Sequence, residues 1–361
     1  MNESLFVKWV ATFFAPLVAT LTERINGAKG PLSYLHKSML TKEFSPTLKW
    51  SSIGVNGSVI AADLVALDSE LPLKKRDSMT KVTGDIPKMG MKLFLSESTL
   101  NDLNIMRQQP NMDSQIAAKL FADTKKVMEG IYERLEYMFL QGLSSGVTLI
   151  DDTDKPGVGI RIDYGYKNAN KYATSGAVWS ASSGATPIAD LEAVLTAAST
   201  NGDVITTVIM DRFAWNNFKK SSEVKALYAA SIGFAGATVP TPTITQVNDA
   251  MQQNYGITIK IVDRSIKTQV NGVDTASKPW TEGAVVFLTT EKVGRLAWGY
   301  TAEKFNQAKQ VTYAEADDFI LVSKYHKNDP IREFTSSQAV VVPVIDGVES
   351  IYLLDSKTAQ G

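Results

Sequence analysis

The chain has 361 residues, 44% hydrophobic and 21% charged, with 37 basic against 38 acidic side chains and a formal charge of −1. That balance allows a sizeable core in roughly two domains, and it excludes a strongly basic nucleic-acid coat and an acidic solvating tail. Zero cysteines exclude disulfide frameworks, thiolate nucleophiles and Cys-held metals, and two histidines, His36 and His326, leave little for imidazole chemistry.

The stretch from Glu3 to Gly27 is the most hydrophobic in the chain. Glu3, Lys8 and Pro16 interrupt it, so it matches neither a secretory signal nor a membrane span. Phe6, Val10, Phe13, Leu17 and Leu21 keep helical spacing, with a kink expected at Pro16. An exposed apolar stripe of this size is an interaction surface. The stretch therefore reads as an arm that finds cover on another part of the protein or on a neighbour. Phe6, Trp9, Phe13 and Phe14 are its candidate contact residues.

From Ser51 to Leu95 the text alternates, without a helical period. It predicts a long two-arm β structure bent at Gly57 and Gly84, with Pro72 and Pro87 at edges or tips. Between Ala62 and Leu95 there are 11 charges in 34 residues, of mixed sign, which is too many for the inside of a core. Complementary charge on another subunit would give such an arm a partner. Lys74, Lys75, Arg76 and Asp77 are the candidate contacts, since the one basic triplet is flanked by acids and suits a protein partner better than nucleic acid.

A helix is predicted from Ser96 or Ser98 towards Pro110. A longer one runs over 114–143, where Ile116, Leu120, Val127, Ile131, Leu135 and Met138 form one stripe. Residues 147–182 return to β. Helices then interleave with short apolar strands between about 186 and 300, which is the pattern of a compact α/β unit. Three strands close the chain, the last two joined at Asp346-Gly347, a hairpin signal. The β regions on both sides of the α/β unit are expected to share a sheet.

Motifs for chemistry are lacking. Gly-x-Gly-x-x-Gly, the P-loop and His-Glu-x-x-His are absent, and Gly157-Val158-Gly159 lacks its third glycine. Asp152, Asp154, Gly157 and Asp163 fall at calcium-loop positions, but Pro156 occupies a ligand position, so a Pro-Gly turn between strands is expected. Both histidines sit beside lysines and read as solvated. Asp317-Asp318 and Asp151-Asp152 are strand neighbours expected to face opposite ways. No catalytic, cofactor or metal residue is expected.

The order of elements resembles tailed-bacteriophage major capsid proteins, and within them the lambda-type group, the major capsid protein E family. RDSMTKVTGDIPKMGMKL around Pro87 is similar to that family's passage from extended loop to helix. MDRFAWNNFKKSSEVKAL, with Phe213, Trp215 and Phe218, and WTEGAVVFLTTEKVGRLAWGYTAE, with Gly283, Gly294 and Gly299, resemble its strand-to-helix and turn-strand passages. The resemblance implies an α+β capsid fold with an N-terminal arm over 1–52, an extended β-hairpin loop over 53–95 and a peripheral domain with a spine helix over 96–185. An inserted axial α/β domain would follow over 186–300, with a β return over 301–361. It implies a non-enzymatic protein whose pentamers and hexamers close an icosahedral shell around double-stranded DNA in the virion, assembled in the host cytoplasm. Its implied partners are other copies of itself, a portal, scaffold or decoration proteins and non-specifically the DNA, with no membrane. The chain starts directly with the arm, so any scaffold is expected to be a separate protein. An encapsulin-type nanocompartment shell, a tail or baseplate component and a soluble α/β hydrolase are the competing readings.

Overall fold

The computed structural model describes residues 1–27, 34–54, 80–150, 159–181, 183–236, 238–270 and 273–359. The chain divides into two units. The first comprises Met1–Trp50, Gly84–Tyr137 and Arg295–Pro343, the second Ser51–Thr83, Met138–Gly294 and Val344–Gly361.

The first unit is built on a sheet of six strands. Its order is Leu40–Phe44, Gly294–Gly299, Ile331–Ile345, Ile320–Asn328, Thr312–Ala316, with Lys88–Leu95 also paired to Ile331–Ile345. Strands from before and after the α/β stretch thus share one sheet, as expected. The helical stripe turns to the core: Ile116, Leu120, Val127, Ile131, Leu135 and Met138 are all buried. The expected single helix over 114–143 is two, Asp113–Leu120 and Ala122–Ser145. The break has a cause: the Leu120 carbonyl, which would accept from Thr124 in an unbroken helix, takes the buried Lys324 ammonium at 3.0 Å, and Thr124 N–H donates to Phe121 O instead.

The arm helix, Val7–Asn26, runs through Pro16 as one helix. It lies against the strand Thr312–Ala316 and the helix Asp113–Leu120. A third helix, Glu97–Arg107, starts after Ser96 as expected, although the Ser96 hydroxyl bonds Ser98 and Thr99 hydroxyls and caps no backbone N–H. At the foot of the extended loop the strands Lys49–Gly54 and Thr80–Asp85 pair. Gly84 is therefore a strand residue, not a bend; a Cβ there would sit 2.8 Å from Trp50 Nε1. Gly57, Pro72 and the loop between these strands lie outside the described residues.

The second unit holds a five-stranded mixed sheet in the order Lys171–Thr174, Tyr352–Ala359, Ala284–Leu288, Thr207–Asp211, Thr258–Val262. The outer pairs are parallel and the inner two antiparallel. Val208, Met210, Ile259, Val285, Phe287 and Leu354 on the strands meet Leu191, Val194, Trp215, Phe218, Val247 and Met251 on helices in one core. The helix Ile244–Tyr255 carries a full capping box, Thr243 with Gln246, and ends at left-handed Gly256. The helical text over 211–230 is two helices, Arg212–Phe218 and Ser222–Ser231, because Ser221 caps the second through Val224 N–H. The expected hairpin at Asp346-Gly347 does not form. Gly347 is left-handed and opens a short 3-10 turn, and the flanking strands belong to different sheets.

Candidate functional site

The sequence singles out the arm first, and its aromatic residues divide sharply. Phe6, Trp9 and Phe14 are 1%, 6% and 0% exposed, while Phe13 is 42% exposed. Phe6 meets Trp9 edge-on, and Phe14 stacks on Phe121 with centroids 6.1 Å apart. Trp9 Nε1 donates to Asp113 Oδ1 at 3.0 Å. Ahead of the helix, Ser4 donates to Glu333 Oε1 at 2.5 Å and the Leu5 N–H to Glu333 Oε2 at 3.2 Å. Asn2 and His326 form a β-bridge. The start of the arm is thus fastened to its own unit, and its outward face is Val7, Ala11, Phe13 and Pro16. Lys74, Lys75, Arg76 and Asp77 lie outside the described residues.

Glu333 was invisible as a buried anchor in the sequence, as was its neighbour Lys324, and both are 0% exposed. Burial lowers the Lys324 ammonium to about 8, against the attraction of Glu333 and Asp123. The strand Ile320–Asn328 is buried over six consecutive residues, so no alternation in the sequence marked Lys324 as inward-facing.

His36 overturns the expectation of two solvated histidines. It is 1% exposed, and its Nδ1 lies 2.6 Å from Glu136 Oε2. The Glu136 carboxylate also accepts the backbone N–H groups of Leu35 and His36. Burial pushes that carboxyl up, but the His36 contacts outweigh it and hold it below the ordinary range. Beside it is a cavity of about 260 Å³ touching Lys37, Lys42, Tyr132 and Asp317.

Asp317 and Asp318 do not sit back to back on a strand. Both are left-handed, in the three-residue connection after Thr312–Ala316, and one lysine reaches both: Lys42 Nζ is 2.5 Å from Asp317 Oδ1 and 2.9 Å from Asp318 Oδ2. Asp317 also accepts from Asn26 Nδ2 at 3.1 Å, Tyr132 OH at 3.0 Å and Lys37 Nζ at 3.4 Å. Burial raises its carboxyl, yet Lys42, Lys37 and the Tyr132 hydroxyl together hold it low. Burial pushes the Tyr132 phenol far up, reinforced by Asp317. Both Asp317 carboxylate oxygens are occupied, so that side chain ties chain segments together.

The second unit has an open dent of about 470 Å³ at the C-terminal ends of the parallel strands Thr207–Asp211 and Thr258–Val262. Its acids are likewise engaged. Asp211 caps a helix through Ala214 N–H at 2.9 Å, and Asp263 takes Arg212 at 3.0 Å and Lys278 at 3.3 Å. No group of three or more metal-ligating side chains occurs among the described residues. No helix among them is long and apolar enough to cross a membrane. The calcium-like stretch is described only from Gly159; Ile160–Asp163 is a strand paired with Val147–Ile150.

Surfaces thus remain where reactive groups do not, and comparison with known proteins fits that. The family model described as phage major capsid protein E matches residues 18–352. Among solved structures, the chain is similar to a candidate prophage capsid protein from Escherichia coli CFT073, with 14% identity, a TM-score of 0.58, and 94% of this chain and 98% of that chain covered. It is also similar to a phage-related protein from Bordetella bronchiseptica RB50, with 12% identity, a TM-score of 0.53, and 94% and 96% covered. No curated protein matches it significantly.

Proposed function

The chain belongs to the phage major capsid protein E family, and from that premise we propose how it builds a shell. It is a structural protein of the virion capsid and not an enzyme. Copies associate into pentamers and hexamers, and these close an icosahedral head around double-stranded DNA. The observation that carries this is the family match over residues 18–352, which takes in both units.

In this reading residues 1–52 are the arm and 53–95 the extended loop. The helices and sheet of the first unit belong to the peripheral domain, and 186–300, whose sheet also takes in Lys171–Thr174 and Tyr352–Ala359, to the axial domain around capsomer axes. The outward face of the arm, with Phe13, and the loop residues Lys74 to Asp77 meet neighbouring subunits. Phe6, Trp9 and Phe14 support the arm from beneath, since side chains already closed by their own unit have little surface left to share. A portal and scaffold or decoration proteins are further partners, and contact with DNA is non-specific. Purified protein examined by negative-stain electron microscopy and size-exclusion chromatography tests the reading. Closed shells or capsomers are expected; a monomer at every salt and protein concentration would refute it.

A further inference from the structure

We propose that residues 2–26 form a strap over a buried charge pair, Lys324 and Glu333, and that the strap lifts more readily when Lys324 carries its proton. The start of the strap is fastened to two neighbouring strands, Ile320–Asn328 and Ile331–Ile345. Asn2 and His326 exchange backbone hydrogen bonds at 3.0 and 3.1 Å, and His326 Nδ1 meets the Glu3 carbonyl. Glu333 accepts the Ser4 hydroxyl at 2.5 Å and the Leu5 N–H at 3.2 Å. Further along, Trp9 donates to Asp113 and Phe14 stacks on Phe121.

Lys324 and Glu333 are each 0% exposed. Among the described residues the Lys324 ammonium bonds two neutral oxygens, Leu120 O at 3.0 Å and Thr335 Oγ1 at 2.9 Å, and it lies 5.5 Å from the Phe121 ring centroid. The acids that face it are Glu333 on the paired strand and Asp123 on the helix Ala122–Ser145; among the described residues the arm supplies no charge that acts on it. Apolar side chains of similar size would hold these strands at least as well, because a buried ion pair regains in attraction about what it loses in hydration.

The charge does two other things. By drawing the Leu120 carbonyl out of the helical ladder it breaks the helix next to Phe121, the ring on which Phe14 rests. It also sets closure of the strap against hydration of the ammonium, since lifting the arm lets water in beneath it. Burial holds that ammonium near 8, against about 10.4 for an exposed lysine. The closed strap therefore binds fewer protons than the lifted one between these two values, and closure strengthens as pH rises through them. Below about 8 the ammonium is charged in both states, and closure carries the whole cost of burying it.

The chain has no cysteine, so single introduced thiols report on the arm. Val18→Cys probes its covered side and Phe13→Cys its outward side, Val18 being 0% and Phe13 42% exposed. Dividing the first maleimide labelling rate by the second cancels the pH dependence of the thiol itself. From about pH 7 to 9 that ratio should fall about tenfold, which is the change in opening that values of about 8 and 10.4 require. With Lys324→Met and Glu333→Gln together, a neutral pair that keeps an acceptor for Ser4, the ratio should stay low and flat. A flat ratio with Lys324 and Glu333 intact would overturn the proposal, and so would an equal fall in the paired variant. Should the paired variant fail to fold, His326→Gln with Lys324 intact decides: the full fall must persist, and its loss would move the switch to the imidazole and equally overturn the proposal.

Discussion

Asp317 concentrates more polar contacts than any residue the sequence singled out, and its energetics can be read from its surroundings. Its side chain is 6% exposed and its partners Lys37 and Lys42 are 21% and 41% exposed. Removing one member of a fully buried ion pair costs about 3–5 kcal/mol, but water screens Lys42 here, so Asp317→Asn should cost about 2 kcal/mol. Its carboxyl titrates below the unfolded value of about 3.9, so the unfolded chain takes up the proton first as pH falls. The contribution is complete above that value and lost as pH drops through the lower folded one. Urea unfolding should show a gap between wild type and Asp317→Asn that is flat from about pH 7 to 5 and closes below about 4. A gap that widened in acid would contradict the assignment. Nothing in the sequence pointed to this residue as a tie, because its partners are residues 26, 37, 42 and 132, which only the fold assembles.

At the scale of elements, the arm helix separates stability from assembly. Phe14 is fully buried and Phe13, its neighbour, is not. Phe14→Ala should lower unfolding free energy by about 3–4 kcal/mol, whereas Phe13→Ser should change it by less than about 0.5 kcal/mol and act on shell yield. Equal stability losses would show that the helix packs in another register. Helical periodicity found this element but placed Phe13 on the stripe, because spacing alone does not say which neighbouring row faces the core. Two glycines make a similar contrast. A Cβ on Gly90 would meet the Ser337 carbonyl at 2.5 Å, and backbone paired in a sheet cannot retreat. On Gly130 it would meet the tip of the Met91 side chain, which can swing aside. Gly90→Ala should therefore cost about 2–3 kcal/mol and Gly130→Ala under about 1, measured by denaturant midpoint.

For the whole molecule, element types were legible and partnerships were not. The helix after Ser96 and the interleaved helices and short strands between about 186 and 300 were each specified by nearby residues. The Asp346-Gly347 signal failed because a turn dipeptide specifies a local reversal, while the flanking strands found stronger partners in two different sheets.

The strand Ile331–Ile345 sets a clock. Lys88–Leu95 has nothing to pair with in its sheet until Ile331–Ile345 has left the ribosome, and the pair Leu40–Phe44 and Gly294–Gly299 cannot join the other strands before then. In the other sheet Tyr352–Ala359 lies between strands that precede it by 64 residues and more, counting from Leu288 to Tyr352. At about 5–20 residues per second, tens of seconds of synthesis pass in which neither sheet can close. A nascent or prematurely terminated chain is consequently unable to join a growing head. Ribosome-arrested chains ending before residue 331 should be digested rapidly by protease, and those extended past 359 by a tethering linker should resist. Lateness of one strand thus works as a quality check at the point of manufacture, admitting finished subunits only.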